Sequence, residues 1–377
     1  MTTGNLSESV LKTKNNEQGG LDAPEPDLIN FFGSIPFFFA GFTVACLFLR
    51  LFIADPLSLY AEVRSEKLSI AKQWAGVASV AAFGSSHVDS GFDPRVFDRS
   101  ISANAEQINS INLGISGGSQ TEQAVVAREY ERLVSRSDLT ARPHMLLLEA
   151  NAGANFGSDF VTHPRSINIY NLDTLRLALQ FSDPRLGVRR LLGRSVTAAI
   201  AYGLNFMNTG MLSSAIFRPR LNEQIRQNQT VDNRRGLSPP LPTTNDVAYQ
   251  RNLSAQVDSL RSAPPTASPA LITSGLCAEA QGLQIGTNSG PSYQVVYFVT
   301  PKLTDLQSYE TYPDSIKCGE IEVPIVNVAL PLVHPDLYVP SLWHDLAHLN
   351  ERGAGVYTGL LAQALKSRLS PNTLMSP

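Results

Sequence analysis

The apolar run Val77 to Phe83 stops abruptly at Gly84-Ser85-Ser86-His87, and this junction constrains the fold of the chain more than any other stretch. An unbroken apolar segment bounded by a turn signal reads as a strand buried on both faces. Glycine frees the backbone to turn, and small hydroxyl residues suit a loop or a helix start. The turn therefore presents Ser86 at the strand's carboxyl end, the edge at which open α/β sheets hold their ligands. A serine in that place is either a helix N-cap or a nucleophile, and a nucleophile needs a base within reach.

A base is found at the far end of the chain. Leu342-Trp343-His344-Asp345-Leu346-Ala347-His348-Leu349-Asn350 leads into an apolar-periodic helix over about Val356 to Leu365. Asp345 and His348 are three apart on a loop entering a helix. That spacing lets the carboxylate accept from one imidazole nitrogen while the other faces a serine hydroxyl. The same stretch, His-Asp-Leu-Ala-His, resembles the zinc pattern His-Glu-x-x-His, which requires both histidines on one helical face. Trp343 and Gly353 favour a loop here, and no third ligand stands out, so neither metal nor cofactor is expected.

Two further blocks complete the pattern, Asn112-Leu113-Gly114-Ile115-Ser116-Gly117-Gly118 and Leu148-Glu149-Ala150-Asn151-Ala152. With the nucleophile and histidine blocks they resemble the SGNH (GDSL-like) hydrolase superfamily, and more narrowly its membrane-anchored branch associated with polysaccharide O-acylation. The resemblance implies a three-layer α/β/α fold on a parallel sheet of about five strands, flavodoxin-like in order. It also implies a Ser86–His348–Asp345 triad, with an oxyanion hole from the Ser86 N–H, the Gly117 N–H and the Asn151 side chain. Three positions depart from the family pattern: Ser85 stands where Asp is frequent, Glu149 where Gly is usual and Ala152 where Asp is usual. His87, Glu149 and His344 are candidate pocket residues.

The amino terminus carries a different signal. Residues 1–27 are polar and aperiodic, the composition of a disordered tail. Phe31 to Leu49 then gives 19 uncharged residues, enough for a membrane anchor over about 28–54. The run is long for a signal peptide and has no evident cleavage site, so it is read as uncleaved. Its flanks conflict: Lys12 and Lys14 precede it, whereas Arg50, Arg64 and Lys67 follow, which opposes export of the main domain. Cys277 and Cys318, the only cysteines beyond the anchor, are a candidate disulfide pair and favour an oxidising compartment.

The catalytic domain is assigned to 55–377. Leu57 to Trp74 is expected to be a linking helix, followed by strands at Val77–Phe83, Ser110–Ile115, Met145–Ala150, Gln294–Thr300 and Ile325–Leu330. Thr121 to Val134 has helical period between the second and third, which implies a parallel sheet covered on both faces. An insertion spans about 155–291, with a helix over Asn171–Phe181. Ser195 to Phe217 follows, 23 uncharged residues read as a buried or interfacial helix. Asn222 to Pro269 is proline-rich and read as a long loop.

With 377 residues, 43% apolar content and a net charge of −3, the chain has material for one large core and no polyanion-binding balance, so a nucleic-acid partner is not expected. The expected activity is that of a single-pass inner-membrane serine acyltransferase or esterase facing the periplasm. It would act on an acyl donor and a polysaccharide acceptor, with a polytopic membrane acyltransferase as partner and lipid contact through the anchor. The competing expectation is a non-catalytic polysaccharide-binding component of an exopolysaccharide synthesis complex.

Overall fold

Short apolar runs become strands here because each is long enough to cross a sheet and has no polar face to leave in water. The computed structural model describes residues 35–45, 59–102, 108–136, 144–150, 187–206, 235–262 except 239 and 244, 276–283 except 278 and 282, 293–303 and 312–368, with isolated residues elsewhere. The strands are β1 (Val80–Phe83), β2 (Ser110–Asn112), β3 (His144–Glu149), β4 (Tyr293–Val299), β5 (Ser315–Cys318) and β6 (Ile321–Asn327). From residue 59 on, the described α-helices include α1 (Leu59–Trp74), α2 (Ser86–Gly91), α3 (Pro94–Ile101), α4 (Gln120–Arg136), α5 (Gly187–Phe206), α6 (Val247–Ser262) and α7 (Glu351–Arg368).

Among the described residues the sheet has six strands in the order β2-β1-β3-β4-β6-β5, where about five were expected. All neighbours are parallel except β5, which pairs antiparallel with β6 at the edge. The sequence concealed β5 because it is four residues long and exposes Lys317 between buried Ile316 and Cys318. β1 begins at Val80 rather than Val77, since Val77 and Ala78 donate backbone bonds to the Trp74 carbonyl and close α1 instead.

Alternate residues of each strand face opposite layers. Ala81, Phe83, Leu146, Leu148 and Tyr297 pack with Ile70 and Ala71 of α1 and Val126 and Tyr130 of α4. Val80, Ala82, Leu147, Val296 and Phe298 pack on the other side with Phe97 of α3, Val257 of α6 and Tyr357 and Leu361 of α7. Helices therefore cover both faces, as the runs required.

The insertion differs from the sequence reading. Part of the supposed loop is the helix α6, which among its described side chains buries Leu253 and Val257, about one turn apart, and leaves most of the others exposed. Asp246 caps it, its carboxylate accepting from the Ala248 and Tyr249 N–H groups at 2.8 and 3.2 Å. α5 covers the start of the uncharged run, but Val188, Leu192, Val196 and Ile200 are exposed, so it is not a buried core helix. The helix expected over Asn171–Phe181 and the run beyond Phe206 lie outside the described residues.

Among the described residues no helix is long and apolar enough to cross a membrane. The tail expected over 1–27 lies outside the described residues, and the anchor expected over 28–54 is described only at 35–45, which is helical with Phe37, Phe38 and Phe39 exposed, and at Phe48.

Cys277 and Cys318 are joined by a disulfide that closes a 41-residue separation and staples the segment before β4 to edge strand β5. Restricting the unfolded chain over a loop of that length is worth about 2–4 kcal/mol. Cys318→Ser is therefore expected to lower the urea midpoint, and reductant to lower that of the wild type but not of the variant. Equal midpoints for both proteins without reductant would contradict this.

Candidate active site

Gly84 leaves β1 where no side chain fits. A Cβ there would lie 2.2 Å from Val88 Cγ2 and 2.7 Å from Glu149 Oε2. The chain then enters α2 with Ser85 as N-cap, its hydroxyl accepting from the His87 N–H. Ser86 is thus the first residue of the helix, at the carboxyl end of β1. β1 sits between β2 and β3, where the strand order reverses direction, which is the place a parallel sheet offers to ligands. The N-cap role expected as the alternative for a serine in this turn falls to Ser85.

Side chains that chemistry would not single out hold α2 in place. Asn112, fully buried at the end of β2, donates from Nδ2 to the Val88 and Phe92 carbonyls at 2.6 and 2.8 Å. Lys67 of α1 and Asp89 of α2 form a buried ion pair at 2.6 Å, and the same ammonium donates to the Gly236 carbonyl. Ser238 N–H donates to the Asp89 carbonyl at 3.0 Å, so the insertion passes directly beneath the serine helix. Asp89 and Asn112 lie inside or beside the sequence blocks, but nothing local in Lys67 announces a partner 22 residues away.

The histidine block is a tight turn rather than a helix. Trp343 and Leu349 form an antiparallel bridge, and His344 N–H donates to the His348 carbonyl at 2.9 Å. The Asp345 carboxylate accepts from the Ala347 and His348 N–H groups at 2.8 and 2.7 Å, which is why a spacing of three suffices. Buried Trp343 anchors the turn by donating from Nε1 to the Leu337 carbonyl at 3.1 Å. Asn350 ends it by capping α7, its Oδ1 accepting from the Gly353 N–H, while its Nδ2 donates to Thr243 Oγ1 at 2.6 Å.

These two constructions meet. His348 Nε2 lies 2.8 Å from Ser86 Oγ across 262 residues of sequence. His348 Nδ1 lies 2.9 Å from both oxygens of Asp345. A carboxylate so placed takes the Nδ1–H and leaves Nε2 as the acceptor of the serine proton. Burial alone would raise the Asp345 carboxyl; the hydrogen bond and charge of His348, with the Ala347 and His348 N–H groups, outweigh it and hold the carboxyl at about 2.

Glu149 is buried behind the serine turn. Its Oε2 accepts from the Ser85 N–H at 2.6 Å and its Oε1 from the Thr300 hydroxyl at 2.5 Å. His87 Nδ1 is 2.6 Å from Ser85 Oγ and 3.5 Å from Glu149 Oε1. Burial pushes the His87 imidazole below its ordinary value, only partly offset by the hydrogen bond and charge of Glu149. Burial likewise opposes ionisation of Glu149, but the His87 hydrogen bond and charge, the Lys302 charge and the Thr300 hydroxyl bring it well below the ordinary carboxylate range. The Ser85 N–H and the Thr300 hydroxyl both donate to the carboxylate, which favours its ionised form.

Of the remaining expected residues, Gly117 is in the left-handed region at φ 64° on the loop beside the serine turn. That loop is fixed by the Ile115 N–H donating to the Gly84 carbonyl at 2.9 Å. The Ser86 N–H opens a helix and has no intrahelical acceptor. Asn151 lies outside the described residues. His344 places Nδ1 2.5 Å from the Pro242 carbonyl, engaged with the insertion rather than with the serine. Among the described residues no cluster of His, Cys, Asp or Glu could hold a metal ion, and the two histidines of the zinc-like pattern do not share a helix.

No protein-family model matches the chain, and no curated protein matches it.

Because the Asp345 carboxyl is lowered from 3.8 to about 2, it adds stability that is fully present above the ordinary carboxylate range and fades as pH falls through that interval. The Asp345→Asn protein is expected to melt below the wild type at pH 5, with the gap closing between about pH 4 and pH 2. A gap unchanged over that interval, followed by thermal melts in a pH series, would refute the assignment.

Proposed function

We propose that this protein is a serine acyltransferase or esterase that works through an acyl-enzyme on Ser86. The reading is carried by one observation, the 2.8 Å approach of Ser86 Oγ to His348 Nε2 with Asp345 on the opposite nitrogen. His348 takes the Ser86 proton as Oγ attacks the ester carbonyl, and the new C–O bond forms a tetrahedral oxyanion. The Ser86 and Gly117 N–H groups are the proposed oxyanion donors, with the Asn151 amide as a third. The imidazolium then returns its proton to the leaving oxygen as the old C–O bond breaks. An acceptor hydroxyl, from a sugar or from water, repeats the sequence in reverse and frees Ser86.

The resemblance to SGNH hydrolases favours a short acyl group such as acetyl, and its anchored branch favours transfer to an exported polysaccharide. A polytopic membrane acyltransferase would supply the acyl group across the bilayer. The apolar run at Phe31–Leu49 supports anchoring in the inner membrane, and the disulfide supports a periplasmic site. The exposed apolar side chains of α5 and the arginines in its sequence suit contact with lipid.

A serine-directed fluorophosphonate is expected to label the protein once, on Ser86, and to leave Ser86→Ala unlabelled. Asp345→Asn is expected to slow turnover of an activated acyl ester by about 100-fold or more. Absence of any adduct on the wild type would contradict the enzyme reading and favour the polysaccharide-binding alternative. Weighing the products from an acyl donor with and without oligosaccharide separates transfer from hydrolysis.

A further inference from the structure

Glu149 stands where the resembled family has glycine, and it is almost wholly buried, 1% exposed, directly behind the reacting serine. A buried carboxylate is costly unless it is paired and fully hydrogen-bonded. Here it collects the Ser85 N–H, the Thr300 hydroxyl and the edge of His87. The His87 ring is in turn stacked on the ring of His348, with centroids 5.2 Å apart and planes inclined by 12°. Two carboxylate–imidazole pairs therefore lie face to face, Asp345–His348 on the serine and Glu149–His87 behind it. The mechanism above uses only the first.

We propose that the Glu149–His87 pair exists to position His348, with His87 the flat wall that holds the catalytic ring in line with Ser86. This rests on the reading of Ser86 as nucleophile. His348 is part-exposed; Asp345 and Ser86 hold its two nitrogens, and the His87 ring covers one of its faces. Glu149 fixes that surface from the inside: one oxygen sets the Ser85 backbone and the other faces His87 Nδ1, so serine turn and wall move as one body. The charged and titratable groups around the stack are Glu149 from β3, Lys302 after β4 and Asp345 in the histidine turn. Tyr357 of α7 feels the charge of Glu149, and Tyr249 of α6 that of Asp345.

The test is the rate of fluorophosphonate labelling of the full-length protein across pH 5 to 9, with thermal melts alongside. His87→Ala is expected to slow labelling about tenfold or more at its plateau, since a small misplacement of a catalytic group is enough to do so. His87→Phe restores a flat ring without a nitrogen and is expected to recover most of that loss. Glu149→Gln keeps the shape but leaves one oxygen to accept from both the Ser85 N–H and the Thr300 hydroxyl, and is expected to slow labelling at its plateau as well. A purely structural role would lower the melts without separating Phe from Ala. An unlabelled wild type would overturn the nucleophile reading and this inference with it. A labelled wild type whose His87→Ala variant reacts equally fast, or whose Glu149→Gln variant labels at the wild-type rate, would overturn this inference alone.

Discussion

The contact between Ser86 Oγ and His348 Nε2 joins the first strand's turn to the last helix's entry, and the arrangement of the chain is intelligible as a means of holding that one distance. Neither residue can be placed by its neighbours in sequence alone. Ser86 is fixed because Gly84 lets the chain turn tightly against Glu149 and Val88, and because Asn112 grips the carbonyls of the helix it starts. His348 is fixed because Asp345 folds its turn, and because Trp343 and Asn350 pin the two ends of that turn to the core. Loop-closure entropy rises only with the logarithm of length, which is why a long insertion between the two halves is tolerated.

The insertion is not a bystander. Its described segment from Arg235 to Thr243 touches both halves of the site. The Arg235 guanidinium pairs with Asp98 of α3, the Gly236 carbonyl accepts from Lys67, the Pro242 carbonyl meets His344 and the Thr243 hydroxyl meets Asn350. Lys67 and Asp89 add a buried ion pair between α1 and the serine helix. Pairs of this kind contribute little net stability while intact, yet cost about 3–5 kcal/mol when one member is removed. They define one geometry rather than strengthen it, and that suits a site that depends on a single hydrogen bond.

What could be read from the sequence follows from the physics of each signal. Strands β1, β3 and β4 were legible because burial on both faces demands unbroken apolar runs, and the Asp345–His348 spacing because one carboxylate can serve two backbone N–H groups and a ring. The edge strand β5 and helix α6 were not legible: β5 is four residues with an exposed lysine at its centre, and α6 sets its buried Leu253 and Val257 among polar and exposed residues, so neither shows a run or a strong period. Lys67 and Thr300 could not be found at all, since their partners Asp89 and Glu149 are brought to them only by the fold. Glu149 was visible as a departure from a pattern and as a pocket candidate, but its neighbours Ser85 and His87 on one side and Thr300 on the other come from two separate parts of the chain.

The account stands on Ser86 carrying the acyl group. Mixing the full-length protein with an activated short-chain ester, quenching in acid within the first turnover and mapping the modified peptide by mass spectrometry tests it directly. The account predicts one acyl group, on the peptide containing Ser86, which disappears when a hydroxyl acceptor is added before the quench. Release of product with no acylated peptide at any time, or an acyl group carried by a different side chain, would contradict it.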